Sequence, residues 1–216
     1  MRLSSGVKVL IALAVLLVLA VLFIRSVHDA RSTPYTVASE HLRNWSLSIE
    51  SQTSAAAPIL VLRPPTELVS SVFRQLFSRA MESLSTPTAP GMPLVLQGEY
   101  DLALAAQLAP GALVGAARDA GLESAAWEPR CLAYRRQSEP RATRQLYFAL
   151  FESREFGEFR AKLASSVGAG ALRGAFDPDA LSPVLIIAAS DATFHRWLPI
   201  RADPDTDCIA PVALAP

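Results

Sequence analysis

The sequence predicts an α+β fold: one N-terminal transmembrane helix, then a ferredoxin-like (βαββαβ) or related mixed-sheet domain with an N-terminal hairpin and a long helix. Three observations predict it. Val9 to Ile24 is an unbroken run of 16 apolar residues. Residues 66–84 carry an apolar stripe at helical spacing. From Leu94 onward, alternating and compact apolar segments read strand, helix, strand, strand, helix, strand, which is the split βαβ order.

The apolar run covers about 24 Å as a helix, somewhat short of a ~30 Å hydrocarbon core. Lys8 and Arg25 flank it and extend their charges to the two interfaces. No small-x-small cleavage pattern follows Ile24, so the segment reads as a retained signal-anchor and not a cleaved leader. Residues 1–8 are then a short cytoplasmic N-terminus, 9–25 the span, 26–33 a linker, 34–198 the domain and 199–216 an irregular tail. Short basic N-termini stay inside, and a long following domain crosses largely regardless of charge. The expected location is the inner membrane, single-pass, with the domain facing the periplasm.

Along the domain, Thr33-Pro34 opens a short helix to Leu42, and Trp45, Leu47 and Ile49 alternate with polar residues as a half-buried strand. Pro58 to Leu62 is a compact strand ended by Pro64-Pro65. The helix over 66–84 buries Leu68, Val69, Val72, Phe73, Leu76 and Phe77 against the sheet, and a proline-rich loop to Pro93 closes it. Leu94 to Leu96 is a short strand, Gly98 to Gln107 is helical, and Pro110 starts a helix that Gly121 ends. Arg130–Arg136 and Thr143–Phe151 form a hairpin, and Ser153 caps a helix bearing Phe156, Phe159, Leu163 and Val167. Val184 to Ala189 is a buried strand, with Asp191 capping a short helix to Leu198. In a second arrangement the 58–62 and 94–96 strands pair through the long helix as a right-handed βαβ unit.

Composition narrows function by exclusion. After residue 31 the chain has 16 basic and 19 acidic residues, so no polybasic field attracts nucleic acid. Lys8 and Lys162 are the only lysines and Asn44 the only asparagine, a bias typical of GC-rich bacterial genomes. Cys131 and Cys208 are the only cysteines, and a domain in an oxidising compartment predicts a bridge between them. Closing a loop of 76 intervening residues should stabilise the fold by about 4 kcal/mol in the chain-entropy model.

Few residue groups suggest chemistry. Asp203, Asp205 and Asp207 imitate the opening of a calcium loop, but Cys208 replaces the required glycine and Leu214 the twelfth-position acid. They read as a solvated acidic turn. Ser190, Asp191 and His195 have triad residue types without the Gly-x-Ser-x-Gly context, leaving Asp191 and His195 as the candidates for a hydrolase. Gly168, Gly170 and Gly174 follow a helix and so do not make a phosphate cradle. No zinc spacing and no cofactor motif is present.

Arg130, Arg135, Arg136, Arg141 and Arg144 crowd the hairpin. They either protect a sheet edge from pairing with other chains or form an anion- or partner-binding ridge, for which Arg135, Arg136, Arg141 and Arg144 are the candidates. The plan of one span followed by small ferredoxin-like domains is similar to that of inner-membrane scaffold subunits of secretion and pilus machines, without their long coiled coil. The expected function is protein–protein contact in the envelope, with membrane attachment through the N-terminal helix. A periplasmic hydrolase is the alternative.

Overall fold

Among the described residues, six of the eight strands and four helices follow the predicted apolar segments closely enough to be traced back to them. The computed structural model describes residues 5–50, 54–80, 82–139, 142–167, 174–190 and 201–215; of the side chains at 5, 7–10, 12, 26–32, 137–139 and 142 nothing is said. The chain divides into two units, Met1–Pro34 and Tyr35–Pro216. The first is one helix, α1 (Ser5–Ser32), whose apolar residues from Leu13 to Ile24 are exposed. Among the described residues, no helix is long and apolar enough to cross a membrane.

The second unit is a mixed α+β fold with two sheets. β1 (Tyr35–Ala38) replaces the helix expected after Thr33, because Tyr35 and Val37 point inward at alternate positions. A single 3₁₀ turn, Ser39–Leu42, follows, and Asn44 takes a left-handed φ of 64° before β2. Asparagine tolerates that conformation better than most residues. β2 (Ser46–Ile49) and β3 (Pro58–Arg63) form the expected hairpin, antiparallel with Leu47 opposite Leu62.

The long helix α2 is shorter than its apolar stripe: it spans Thr66–Arg79, with Ala80 already extended. The chain has to leave the helix there because Ser85 pairs with Ala189 through two 2.9 Å backbone hydrogen bonds. Leu68, Val69, Val72 and Leu76 are buried as expected. Phe77 is not: it is 54% exposed and stacks on Phe73 at 5.8 Å.

β4 (Met92–Leu96) pairs antiparallel with β3, giving a three-stranded sheet in the order β2-β3-β4. This corrects both predicted topologies. A split βαβ sheet would put β4 between the 143–151 and 184–189 strands, and a βαβ unit would make β3 and β4 parallel. Pro93 supplies the physical reason against a central position, since it has no N–H to give a second neighbour. After β4 come α3 (Gln97–Glu99), which runs into a π-helical turn over Tyr100–Leu104, and α4 (Pro110–Asp119). Gly121 follows α4 at φ 75°, where a side chain would be strained. Gly98 lets the backbone pass Ala55 closely; a Cβ there would sit 3.0 Å from the Ala55 carbonyl oxygen.

β5 (Glu128–Glu139) and β6 (Ala142–Glu152) make a long hairpin, longer at its turn than the two predicted segments. α5 (Arg154–Ser165) starts at Ser153, whose hydroxyl accepts from the Phe156 amide. The Glu155 carboxyl is held below its ordinary pKa by its own backbone amide and by Ser153. β7 (Val184–Ala189) is buried throughout and pairs with β6.

The tail is not irregular. Residues Pro204–Asp207 form α6, and Cys208–Ala215 form β8, an interior strand of the larger sheet. That sheet has the order β1-β8-β5-β6-β7, with β1 and β8 parallel and the other pairs antiparallel. It curls so that α2 packs against both its edge strands, β1 and β7. The main core lies between the two sheets and their helices, around Trp45, Trp127, Phe151 and Phe156. A smaller apolar cluster covers the opposite face of the curled sheet, around Leu146, Phe148, Leu150 and Ile186.

Candidate functional site

β8 lies beside β5, and this adjacency decides what the sequence-predicted residues do. Cys131 of β5 and Cys208 at the start of β8 are disulfide-bonded, with their Cα atoms 5.7 Å apart. The pairing was expected, but across a different sheet: β5 is an interior strand here, not an edge.

The arginines of the hairpin separate into different tasks. Arg135 is on the same face as Ala133, beside the disulfide, and pairs bidentately with Asp207: Nη2 to Oδ2 is 2.6 Å and Nε to Oδ1 is 3.2 Å. Its Nη2 also donates to the Arg201 carbonyl. Asp207 is 7% exposed and accepts in addition from the Asp203 amide. This clasp ties α6 to β5, so Arg135 is a structural cation. Arg136, the next residue, points the other way and is exposed. Arg144 is half-buried, and Arg130 pairs with Glu152 across the hairpin. Arg141 lies outside the described residues. The ridge therefore does not present its four candidates together, because β-strand alternation sends Arg135 and Arg136 to opposite faces.

The acidic turn is solvated only in part, with Asp203 and Asp205 exposed and Asp207 buried. Asp203 caps α6 by accepting from the Asp205 amide, and Asp207 is spent on Arg135. Among the described residues, no three His, Cys, Asp or Glu side chains gather as a metal ion would need. Of the triad types, Ser190 extends the β6–β7 ladder, its hydroxyl accepting from the Gln145 amide. Asp191 and His195 lie outside the described residues.

Two clusters were missed in the sequence. The first is a buried ion pair between Glu99 and Arg160. Arg160, on α5, is fully buried, and each of its five N–H groups has an acceptor. Nε donates to the Pro178 carbonyl at 2.8 Å. Nη1 donates to the Leu94 carbonyl at 2.8 Å and to Glu99, and Nη2 donates to Glu99 at 2.6 Å and to the Asp177 carbonyl at 2.5 Å. The guanidinium also lies over the Phe176 ring. Glu99 in turn accepts from the Leu96 amide. The signal was present: Arg160 interrupts the stripe formed by Phe156, Phe159 and Leu163, and a cation on an apolar stripe needs a buried partner. With every donor used inside the fold, the pair is structural.

The second is a tyrosine cluster near the C-terminal end of α2. The rings of Tyr134 and Tyr147 are 5.1 Å apart, and the Arg79 guanidinium sits 4.2 Å from the centre of the Tyr35 ring. Burial, followed by the nearby Glu82, pushes the Tyr147 phenol up to about 12. Burial also raises Tyr35, against the opposing effect of Arg79.

No protein-family model matches the chain, and neither a curated protein nor a solved structure is significantly similar to it.

Proposed function

We propose that this chain is a single-span envelope protein of a bacterium. Its apolar run, residues 9–24, anchors it in the inner membrane, and the α+β domain stands on the periplasmic side, where it docks another envelope protein without catalysing a reaction. The observation that carries this reading is the Cys131–Cys208 bridge, which uses the only two cysteines of the chain. Disulfides persist in oxidising compartments and are rare in the cytosol of mesophiles. An uncleaved apolar helix before an oxidised domain fits a retained anchor with its domain across the membrane. The exposed Arg136, together with Arg141 five residues on in the sequence, supplies the contact, through charge, to an acidic partner surface.

The test has two parts. In spheroplasts, added protease should remove the domain without cell lysis, and the N-terminal helix should stay in the pellet after alkaline extraction. A domain protected until lysis would overturn the topology. Cross-linking in cells should then give a discrete adduct that the Arg136→Ser/Arg141→Ser variant loses and that high salt weakens, because exposed charges are screened within ~8–10 Å. An adduct indifferent to both would overturn the arginine contact.

A further inference from the structure

We propose that the β5 edge over 136–139 receives an acidic, extended segment of the partner as an added strand. This deepens the docking reading and rests on it: there the Arg136 side chain meets an acidic surface, and here the backbone beside Arg136 selects an extended form for that surface.

The β5–β6 hairpin outruns its neighbour on the β8 side. β8 pairs with β5 only from Cys131 to Ala133, whereas β6 stays paired with β5 out to Glu139. β8 begins at Cys208, and the residues before it, Pro204–Asp207, leave the sheet as α6, held at Arg135 by the Asp207 clasp. Among the described residues, no strand lies beside 136–139 on that side.

Gln145 fixes which way the backbone groups point. Its N–H donates to the Ser190 hydroxyl at 3.0 Å and its carbonyl accepts from the Ser190 amide at 3.0 Å, so both face away from β5. Arg136 stands opposite Gln145. In an antiparallel ladder two opposed residues either exchange both bonds or both turn away, so the Arg136 N–H and C=O face the β8 side. The period of two sends those of Ser138 the same way. Ser190 closes the β6 side at Gln145, but among the described residues no group is hydrogen-bonded to these outward groups of Arg136 and Ser138. A ladder over 136–139 is about 14 Å long. It has four residues, as many as the ladder that holds β1 to β8.

Charge chooses the occupant. Between 134 and 145 the sequence has four arginines against one acid, Glu139, and Asp207 neutralises only Arg135. Arg136 is exposed, so a strand laid beside it is favoured where it carries an acid and opposed where it carries a base. A second copy of the same edge would set arginine-rich strands side by side. Acids alternating with β-branched residues suit the segment, the first for charge and the second for strand propensity.

The test uses the full chain in non-ionic detergent micelles and a labelled peptide of about eight residues alternating glutamate and valine, with its lysine–valine counterpart as control. Fluorescence anisotropy should show binding of the glutamate peptide alone. That peptide should slow hydrogen exchange over 136–139 at least ~fivefold and leave 58–63 and 154–165 unchanged. Ser138→Pro removes one outward N–H while keeping every arginine, so affinity should fall at least ~tenfold at an unchanged melting temperature. Ser138→Ala should bind like the parent. A glutamate peptide N-methylated at alternate residues repeats the test from the partner's side, whatever Ser138→Pro does to folding, and should not bind. Equal binding by Ser138→Pro and parent, or by plain and N-methylated peptide, would overturn the added strand yet leave the cross-linking result for Arg136 and Arg141 standing. Equal binding of the glutamate and lysine peptides would overturn it as well, and so would no binding of the glutamate peptide. A parent dimer in sedimentation that Ser138→Pro abolishes would give the edge to a second copy instead.

Discussion

Arg160→Leu removes a fully buried cation whose five N–H groups all have acceptors, and its consequences can be worked through atom by atom. The Glu99 carboxylate, 8% exposed, would keep the Leu96 amide as its donor and lose both contacts to the guanidinium. The carbonyls of Leu94, Asp177 and Pro178 would lose theirs as well. Breaking a buried ion pair from one side costs about 3–5 kcal/mol, chiefly because the remaining charge is stranded. That is a large share of the ~5–15 kcal/mol that holds a domain together. In a domain of this size it corresponds to a fall in Tm of roughly 6–20 °C. Thermal and urea unfolding of the full chain in detergent should show it. Adding Glu99→Leu to the variant should recover part of the loss, since it removes the stranded charge. Arg160→Leu unfolding within ~0.5 kcal/mol of the parent would refute the reasoning, for that is the range of a surface change.

Two further outcomes follow from the burial pattern. Leu76→Asp should unfold the domain, because a carboxylate would enter a site that is 2% exposed, whereas Phe77→Asp should be tolerated within about 1 kcal/mol, its side chain being more than half in solvent; equal melting of the two variants would place the α2 stripe wrongly. Of the four tyrosines, Tyr147 and then Tyr35 should ionise late, seen as phenolate absorbance growing beyond about pH 11. Since the folded pKa of Tyr147 lies above its unfolded value, its contribution to stability is complete below pH ~10 and is lost as the pH rises toward about 12. Tyr147→Phe should shrink the late rise and leave the share of Tyr35, and a parent whose absorbance Tyr147→Phe lowers already near pH 10 would contradict the burial.

Local structure was readable wherever a run of side chains repeated with one period. The buried positions of α2, the strand over Pro58–Arg63, the hairpin of β5 and β6 and the Ser153 cap all follow from spacing and capping chemistry. What spacing does not contain is the partner of each strand. The expectation for β4 failed although Pro93 argued against a central strand, because the split βαβ order weighs sequence of elements over donor geometry. β8 was missed for a different reason. The stretch Cys208–Ala215 alternates only weakly, carries Pro211, and buries just two of its side chains in the main core. Its strand character comes from β1 and β5 on either side, a tertiary effect that a window of a few residues does not see. Arg135 and Arg160 share a lesson: both are arginines within apolar patterns, and both found carboxylates far away in the chain.

The way the edges are closed bears on how this domain can meet a partner. An exposed edge offers free N–H and C=O groups to any extended chain, and proteins commonly blunt it with charge or proline. Here four edge strands instead receive side-chain or single-residue partners, from Gln75, Ser85, Arg160 and Glu123. Three of those four residues follow or lie on elements that also pack the core, so the caps are fixed by the same burial that fixes the helices. A strand added to one of these edges would have to displace such contacts, so on the proposed reading a side-chain surface such as that of Arg136 makes the contact.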